Sequence, residues 1–186
     1  MGMAPRPDLR QSLIQAGMDI LDTEGAEGLT LRRIAARAGV SHAAPAHHFD
    51  GLPGLKVAIA TCGFQCFLHV LVAARDDIPD TDPFQRLLAV NLAYIRFASS
   101  RTGLFRLMFD QLPAQDPDLR KTALGSYLVL RELCGPFIGG RPAPAVETAV
   151  WSLTHGYAAL TLDQPRPPGS PLDVSSYEAA LRLLVS

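Results

Sequence analysis

Apolar positions recur every three or four residues along almost the whole chain, and no stretch alternates apolar with polar for long enough to make a strand. That spacing predicts an all-α protein of about nine helices. The first spans roughly residues 8–24, with Leu13, Ala16, Ile20 and Leu21 turned inward and Gly25 and Gly28 ending it. Residues 30–49, TLRRIAARAGVSHAAPAHHF, then hold two short helices with no residue to spare. Thr30 can cap a helix whose apolar positions are Leu31, Ile34, Ala35 and Ala38, and Gly39 allows a sharp turn. Val40 fills the angle, and Ser41 can cap a second helix running to His48. This is the helix-turn-helix layout, in which the second helix enters the major groove of DNA.

Beyond a break at DGLPG (50–54), the pattern predicts a long helix from near Pro53 to Arg75. The next covers 83–100, with Leu87, Leu88, Leu92, Ile95 and Phe97 inside, and a shorter one holds LFRLMF (104–109). Asp116 and Pro117 start a helix that reaches about Phe137, and GGRPAP stops the pattern. Two last helices, about 145–162 and 172–185, flank a proline-rich segment that cannot be helical. The expected division is a helix-turn-helix domain over 1–52 and a larger helical domain over 53–186, with no internal repeat.

Composition narrows the chemistry. A chain of 186 residues with 48% hydrophobic and 19% charged positions has the material for one ample core, or for a small module joined to a larger one. A net charge of −1 excludes recognition of nucleic acid through an overall basic field, so any such contact depends on local placement. Cys62, Cys66 and Cys134 are an odd count behind a start that lacks the apolar run of a secretory signal, which points to free thiols in the cytoplasm. Cys62 and Cys66 share a helix face, but no second pair of ligands lies near them, so neither a metal nor a cofactor is expected. Residues 57–74 carry no charge and approach the length of a membrane span; Gly63, Gln65 and His69 interrupt them, and a helix enclosed by protein reads the same way. No membrane partner is expected.

Catalysis finds little support. No GxSxG, phosphate-binding loop or HExxH occurs, and Cys134 with His155 is a conceivable pair that no motif supports. The larger domain offers binding features instead. Thr61, Gln65 and His69, spaced by four, form either a solvent-facing strip or the polar handles of a largely apolar inducer cavity. Phe64, Phe67, Phe97, Phe105, Met108, Tyr127 and Trp151 are the candidate walls, with plain core as the alternative for each. His155 lies one turn from Trp151 and can stack on it, or is a satisfied core histidine. Leu160, Tyr177, Leu181 and Leu184 on the last two helices either pack internally or form a homodimer interface, the reading preferred here.

Several of these residues carry a resemblance. Glu24 and Gly25, then LTLRRIAARAGVS, then the HHF of His47 to Phe49, resemble the TetR family of bacterial transcriptional regulators. LFRLMF and WSLTHG (151–156) are similar to a subset of that family with a Trp–His–Gly signature in its C-terminal domain. The resemblance implies a cytoplasmic protein, nucleoid-associated when on DNA, that binds a palindromic operator as a homodimer. It implies a repressor released by a small inducer, as against a helical protein-interaction module without DNA. Thr30 and Ser41 fall at helix starts that can hold phosphate oxygens. Arg32 matches a family position that reaches a base edge, while Arg33 and Arg37 share a face toward phosphate or solvent. His42, Ala43 and Ala44 are expected at the exposed front of the reading helix, with Pro45, Ala46, His47 and His48 completing it. The chain departs from the family where Pro45 replaces a branched aliphatic residue, Ala46 a tyrosine and Leu52 a lysine. With two phosphate anchors missing, the expectation is modest affinity and a shallow salt dependence, unless Arg6 and Arg10 compensate from an N-terminal arm.

Overall fold

The computed structural model describes residues 8–112, 115–161 and 174–186. Among them stand eight α-helices and no strand: α1 (Leu9–Glu24), α2 (Leu31–Arg37), α3 (Gly51–Asp76), α4 (Pro83–Ser100), α5 (Thr102–Gln111), α6 (Pro117–Cys134), α7 (Ala143–Thr161) and α8 (Val174–Val185). Arg6 of the expected arm, the proline-rich 163–171 and the expected start of the last helix at 172 lie outside the described residues.

Helix boundaries follow local chemistry. The Asp8 carboxylate accepts the Arg10 N–H at 3.0 Å and starts α1; Gly25, at φ 72°, ends it. The Thr30 hydroxyl accepts the Arg33 N–H at 3.3 Å and caps α2, and Asp116 does the same for Leu119 at 2.8 Å in α6. Helix α6 stops at Cys134, short of the expected Phe137, and a 3-10 turn over Gly135–Phe137 takes its place because Pro136 has no N–H to continue the ladder.

The largest departure concerns the second helix of the helix-turn-helix. It is a 3-10 turn over Ala44–His47 and not an α-helix from Ser41 to His48. An α-helix from Ser41 needs its first bond from the N–H of residue 45, which is proline. The Ser41 carbonyl instead accepts from Ala44 at 3.0 Å, one residue earlier, which sets the tighter pitch. Ser41 thus contributes its carbonyl and no hydroxyl cap.

Contacts gather the chain into two compact units. The first contains 1–64 and 101–121, the second 65–100 and 122–186. This grouping is of a different kind from the division expected at Leu52–Pro53, because α5 packs on α1 and so joins the N-terminal elements. In the first unit, Leu13, Ile20, Ile34, Leu55, Ile59 and Leu104 are fully enclosed. Arg101 donates twice to Asp22, at 3.1 and 2.6 Å, and Gly103 lies so close to α1 that a Cβ would collide with the Leu21 carbonyl oxygen. In the second unit, Phe67, Leu71, Leu87, Ile95, Val150 and Leu181 form the core. Helix α3 is long and apolar enough to cross a membrane, yet Leu55, Ile59, Phe64, Phe67 and Leu71 on it are all buried in protein.

Candidate nucleic-acid interface

Helix α2 and the 3-10 turn after it present most of their polar side chains to solvent. Gly39, at φ 69°, reverses the chain between them, a conformation that side chains with a Cβ rarely adopt. Thr30, Arg32, Arg33, Ser41, His42, Ala43, Ala46, His47 and His48 are exposed. Ala44 and Pro45 are buried, and Phe49 with them. Ala44 therefore does not belong to the exposed front: the turn must bury its own apolar side chains against α2 to hold its position, and these are the ones available. Pro45 is correspondingly a support and offers nothing to a groove. The Arg10 guanidinium lies over the Phe49 ring at 5.3 Å, so the described arginine of the expected arm is engaged beside the turn.

Two of the arginines on α2 are also engaged. Glu24 accepts from Arg37 at 3.0 Å and from Arg33, whereas Arg32 makes no ion pair among the described residues. Periodicity gives no sign of Glu24 as a ligand for arginine. Its spacings of nine and thirteen carry no periodic signal, since a glycine turn intervenes.

The candidate ligand residues divide between the units. In the first, Phe105 and Met108 are buried core, with Phe105 against Phe109 at 4.8 Å between ring centroids. The Thr61 hydroxyl donates to the Val57 carbonyl of its own helix at 2.9 Å. Gln65 and His69, in the second unit, are exposed, which favours the solvent-facing reading of that strip.

Tyr127, Trp151 and His155 come together in the second unit, joined by residues that the pattern did not single out. The Tyr127 hydroxyl donates to buried Glu147 at 2.6 Å, and this bond holds its phenol above its ordinary ionisation range. The rings of Tyr127 and Trp151 meet edge-on at 6.1 Å, and those of Trp151 and His155 at 6.5 Å. The Tyr94 hydroxyl lies 2.7 Å from His155 Nδ1. Burial raises the Tyr94 phenol far above its usual range, so it stays protonated and donates to the imidazole. Burial also lowers the His155 pKa, which favours the neutral ring that accepts this bond. Phe67 closes on Tyr94 at 4.8 Å, and Ser126 on α6 is buried with no hydrogen-bond partner among the described residues.

A second polar group ties three helices together. Thr154 is within 2.9 Å of Asn91 Oδ1 and 2.8 Å of the Tyr177 hydroxyl, and all three residues are buried. Tyr177 and Leu181 are thus core residues of the second unit and not surface, and Tyr177 also packs against Tyr157 at 5.1 Å. Leu184 is half-buried, while Leu160 and Leu183 are 66% and 81% exposed. Burial pushes the Cys134 thiol up to about 11, the opposite of what a nucleophile paired with His155 would need.

Comparison with known proteins agrees with this architecture. Residues 13–51 match the family model for bacterial regulatory proteins of the tetR family, and residues 87–184 match the tetracyclin repressor-like C-terminal domain. An uncharacterized HTH-type transcriptional regulator of Mycobacterium tuberculosis is 24% identical over 161 residues, covering 82% of this chain and 70% of that protein. A protein with unknown function from Rhodococcus sp. RHA1 is similar in structure, with a TM-score of 0.81 and 25% identity, covering 99% of this chain and 97% of its own. The transcriptional regulator FadR from Bacillus subtilis, solved in complex with stearoyl-CoA, has a TM-score of 0.69 at 15% identity, with 95% of this chain and 97% of its own covered. With an N-terminal helix-turn-helix and a C-terminal domain that both match, the chain belongs to the TetR family and is a DNA-binding transcriptional regulator, not an enzyme.

Proposed function

We propose that the protein is a cytoplasmic, ligand-responsive repressor that binds a palindromic operator as a homodimer and is released by a small, largely apolar inducer. The observation that carries the DNA-reading part is the outward row of His42, Ala43, Ala46, His47 and His48 beside Arg32, which makes no ion pair among the described residues, on a turn anchored by buried Ala44, Pro45 and Phe49. Arg32 suits a guanine edge, His42 can hydrogen-bond to a base, and the alanines can meet a thymine methyl. Thr30 and the backbone around Ser41 serve phosphate.

Dimerisation through α7 and α8 is supported by Leu160 and Leu183, large apolar side chains standing in solvent on those helices. The inducer reading is supported by the aromatic set Tyr94, Tyr127, Trp151 and His155 and by the buried Ser126 hydroxyl, which has no hydrogen-bond partner among the described residues, in a mostly apolar environment with few polar groups. FadR, similar in fold, was solved with an acyl-CoA, which favours ligands with an apolar body. Helix α3 contributes residues to both units and is the lever by which a bound ligand would bias the separation of the reading turns.

The test is a mobility shift of a labelled fragment from the protein's own promoter, with wild type, Arg32→Ala and His42→Ala. The wild type is expected to retard the fragment. Each variant should lose about tenfold or more in affinity, since a good base contact contributes about 1–3 kcal/mol of discrimination. No retardation by the wild type at low salt, or unchanged binding by both variants, removes the DNA-reading assignment and leaves the protein-interaction module.

A further inference from the structure

Helix α1 ends on Glu24, whose carboxylate holds two side chains of α2. Oε1 accepts from Arg37 Nη2 at 3.0 Å, and Oε2 accepts from Arg33 Nη2. Arg33 and Arg37 are one turn apart on α2 and so present to the same side, which lets one carboxylate serve both. The arrangement has room because residue 28 is glycine: a Cβ there would lie 2.9 Å from Glu24 Cβ and 3.2 Å from its Oε2. All three residues lie at the surface, and the Glu24 side chain, 26% exposed against 54% and 41% for Arg33 and Arg37, is the most enclosed of them.

A carboxylate gripping two guanidinium groups offers the charge and paired oxygens that a DNA phosphate would offer the same groups. The surroundings make the competition matter. Between residues 8 and 51, Asp8, Asp19, Asp22, Glu24, Glu27 and Asp50 outnumber Arg10, Arg32, Arg33 and Arg37. Arg32, about a hundred degrees around α2 from Arg33, makes no ion pair among the described residues.

We propose that Glu24 is a specificity-determining residue that acts as an internal competitor for the phosphate backbone. It keeps Arg33 and Arg37 occupied, so the charge-driven, sequence-independent part of binding is weakened while base reading through Arg32 and His42 is untouched. The inference rests on the DNA-reading assignment above, and it predicts that this short basic helix binds arbitrary duplex weakly. Sequence-independent binding is set by the number of phosphates neutralised, so removing two arginines from that number lowers it steeply.

Glu24→Gln keeps the shape and removes the charge. Its affinity for a random-sequence duplex should rise about tenfold at low salt, with the slope of log K against log salt steeper by about one to two units per subunit. Affinity for the promoter fragment should rise less, so the ratio of specific to non-specific binding falls. Arg33→Ala and Arg37→Ala should cost less than about twofold in the wild-type background and several-fold in Glu24→Gln. Equal losses in both backgrounds, or no gain by Glu24→Gln on random duplex, overturn the proposal. Should Glu24→Gln melt early, Arg33→Gln and Arg37→Gln in the unaltered chain decide the point, because a large loss from either is incompatible with arginines held back from DNA. A wild type that shifts its promoter while Glu24→Gln changes nothing defeats only this inference; a wild type that shifts nothing defeats the DNA-reading assignment and this inference together.

Discussion

Between Ser41 and His48 the polar side chains stand in solvent, whereas around Thr154 they are shut in and bonded to one another. The two regions have the same raw materials, hydroxyls and imidazoles on helical segments. In the reading turn the apolar residues Ala44, Pro45 and Phe49 go inside, and His42, His47 and His48 remain available to a partner. In the second unit, Asn91, Thr154 and Tyr177 satisfy one another, and Tyr94 satisfies His155. The difference separates two uses of a polar group: outside it keeps its bonding capacity for a ligand, inside it specifies which helices meet.

Breaking the enclosed network should have the largest effect on stability. Thr154→Val leaves the Tyr177 hydroxyl and Asn91 Oδ1 short of a partner in the core and should cost about 2 kcal/mol, read as a lower denaturant midpoint with the slope unchanged. DNA binding per folded molecule should not change. An unaltered midpoint would mean that the network is incidental to the packing of α4, α7 and α8.

Acid should act next, through His155. Its pKa is lowered in the folded protein by burial, so the unfolded chain takes up the proton first as the pH falls. The associated stability is complete above about pH 6.5, the ordinary imidazole value, and is lost as the pH drops from there through the depressed folded value. Melting curves between pH 7.5 and pH 5 should show the wild type weakening, and His155→Asn should flatten that response. Parallel curves for the two proteins would sink the assignment.

The smallest effect on stability, and the sharpest contrast with Thr154, belongs to Ala46→Tyr and Leu52→Lys. Both restore residue types usual in the family beside the reading turn, and both should stay within about 0.5 kcal/mol of the parent. Leu52→Lys should steepen the salt dependence of DNA binding by about one unit per subunit, and Ala46→Tyr should raise affinity with less effect on the slope. If neither variant binds DNA more tightly, the anchors at those positions are not what limits this protein.

Much of this was open to reading from periodicity, because most helix ends are marked by chemistry that acts locally. Thr30, Gly39, Asp116 and the prolines announce themselves, and the elements start and stop where they do. Pro45 is as visible, but its consequence exceeds what the helical pattern alone suggests: removing one N–H from a helix only two turns long changes its type, since too few bonds remain to hold the α pitch. Ala44 goes inside with Pro45 because a turn this short has few apolar side chains with which to hold itself against α2. For Tyr177 and Leu181 the spacing leaves internal packing and a dimer interface both open, because it shows that a face is apolar without naming what covers it, and the structure buries both internally.

Local rules alone were enough for an all-helical chain with a helix-turn-helix near its start, since caps, turns and 3.6-residue periodicity depend on neighbours a few positions away. Which charges are spent inside the molecule depended on folding. Glu24 reaches Arg33 and Arg37 across a glycine turn, Arg101 finds Asp22 from far along the chain, and Thr154 gathers Asn91 and Tyr177 from two other helices. These pairings obey no spacing rule, because the distance between the partners is set by how helices pack and not by how residues are counted.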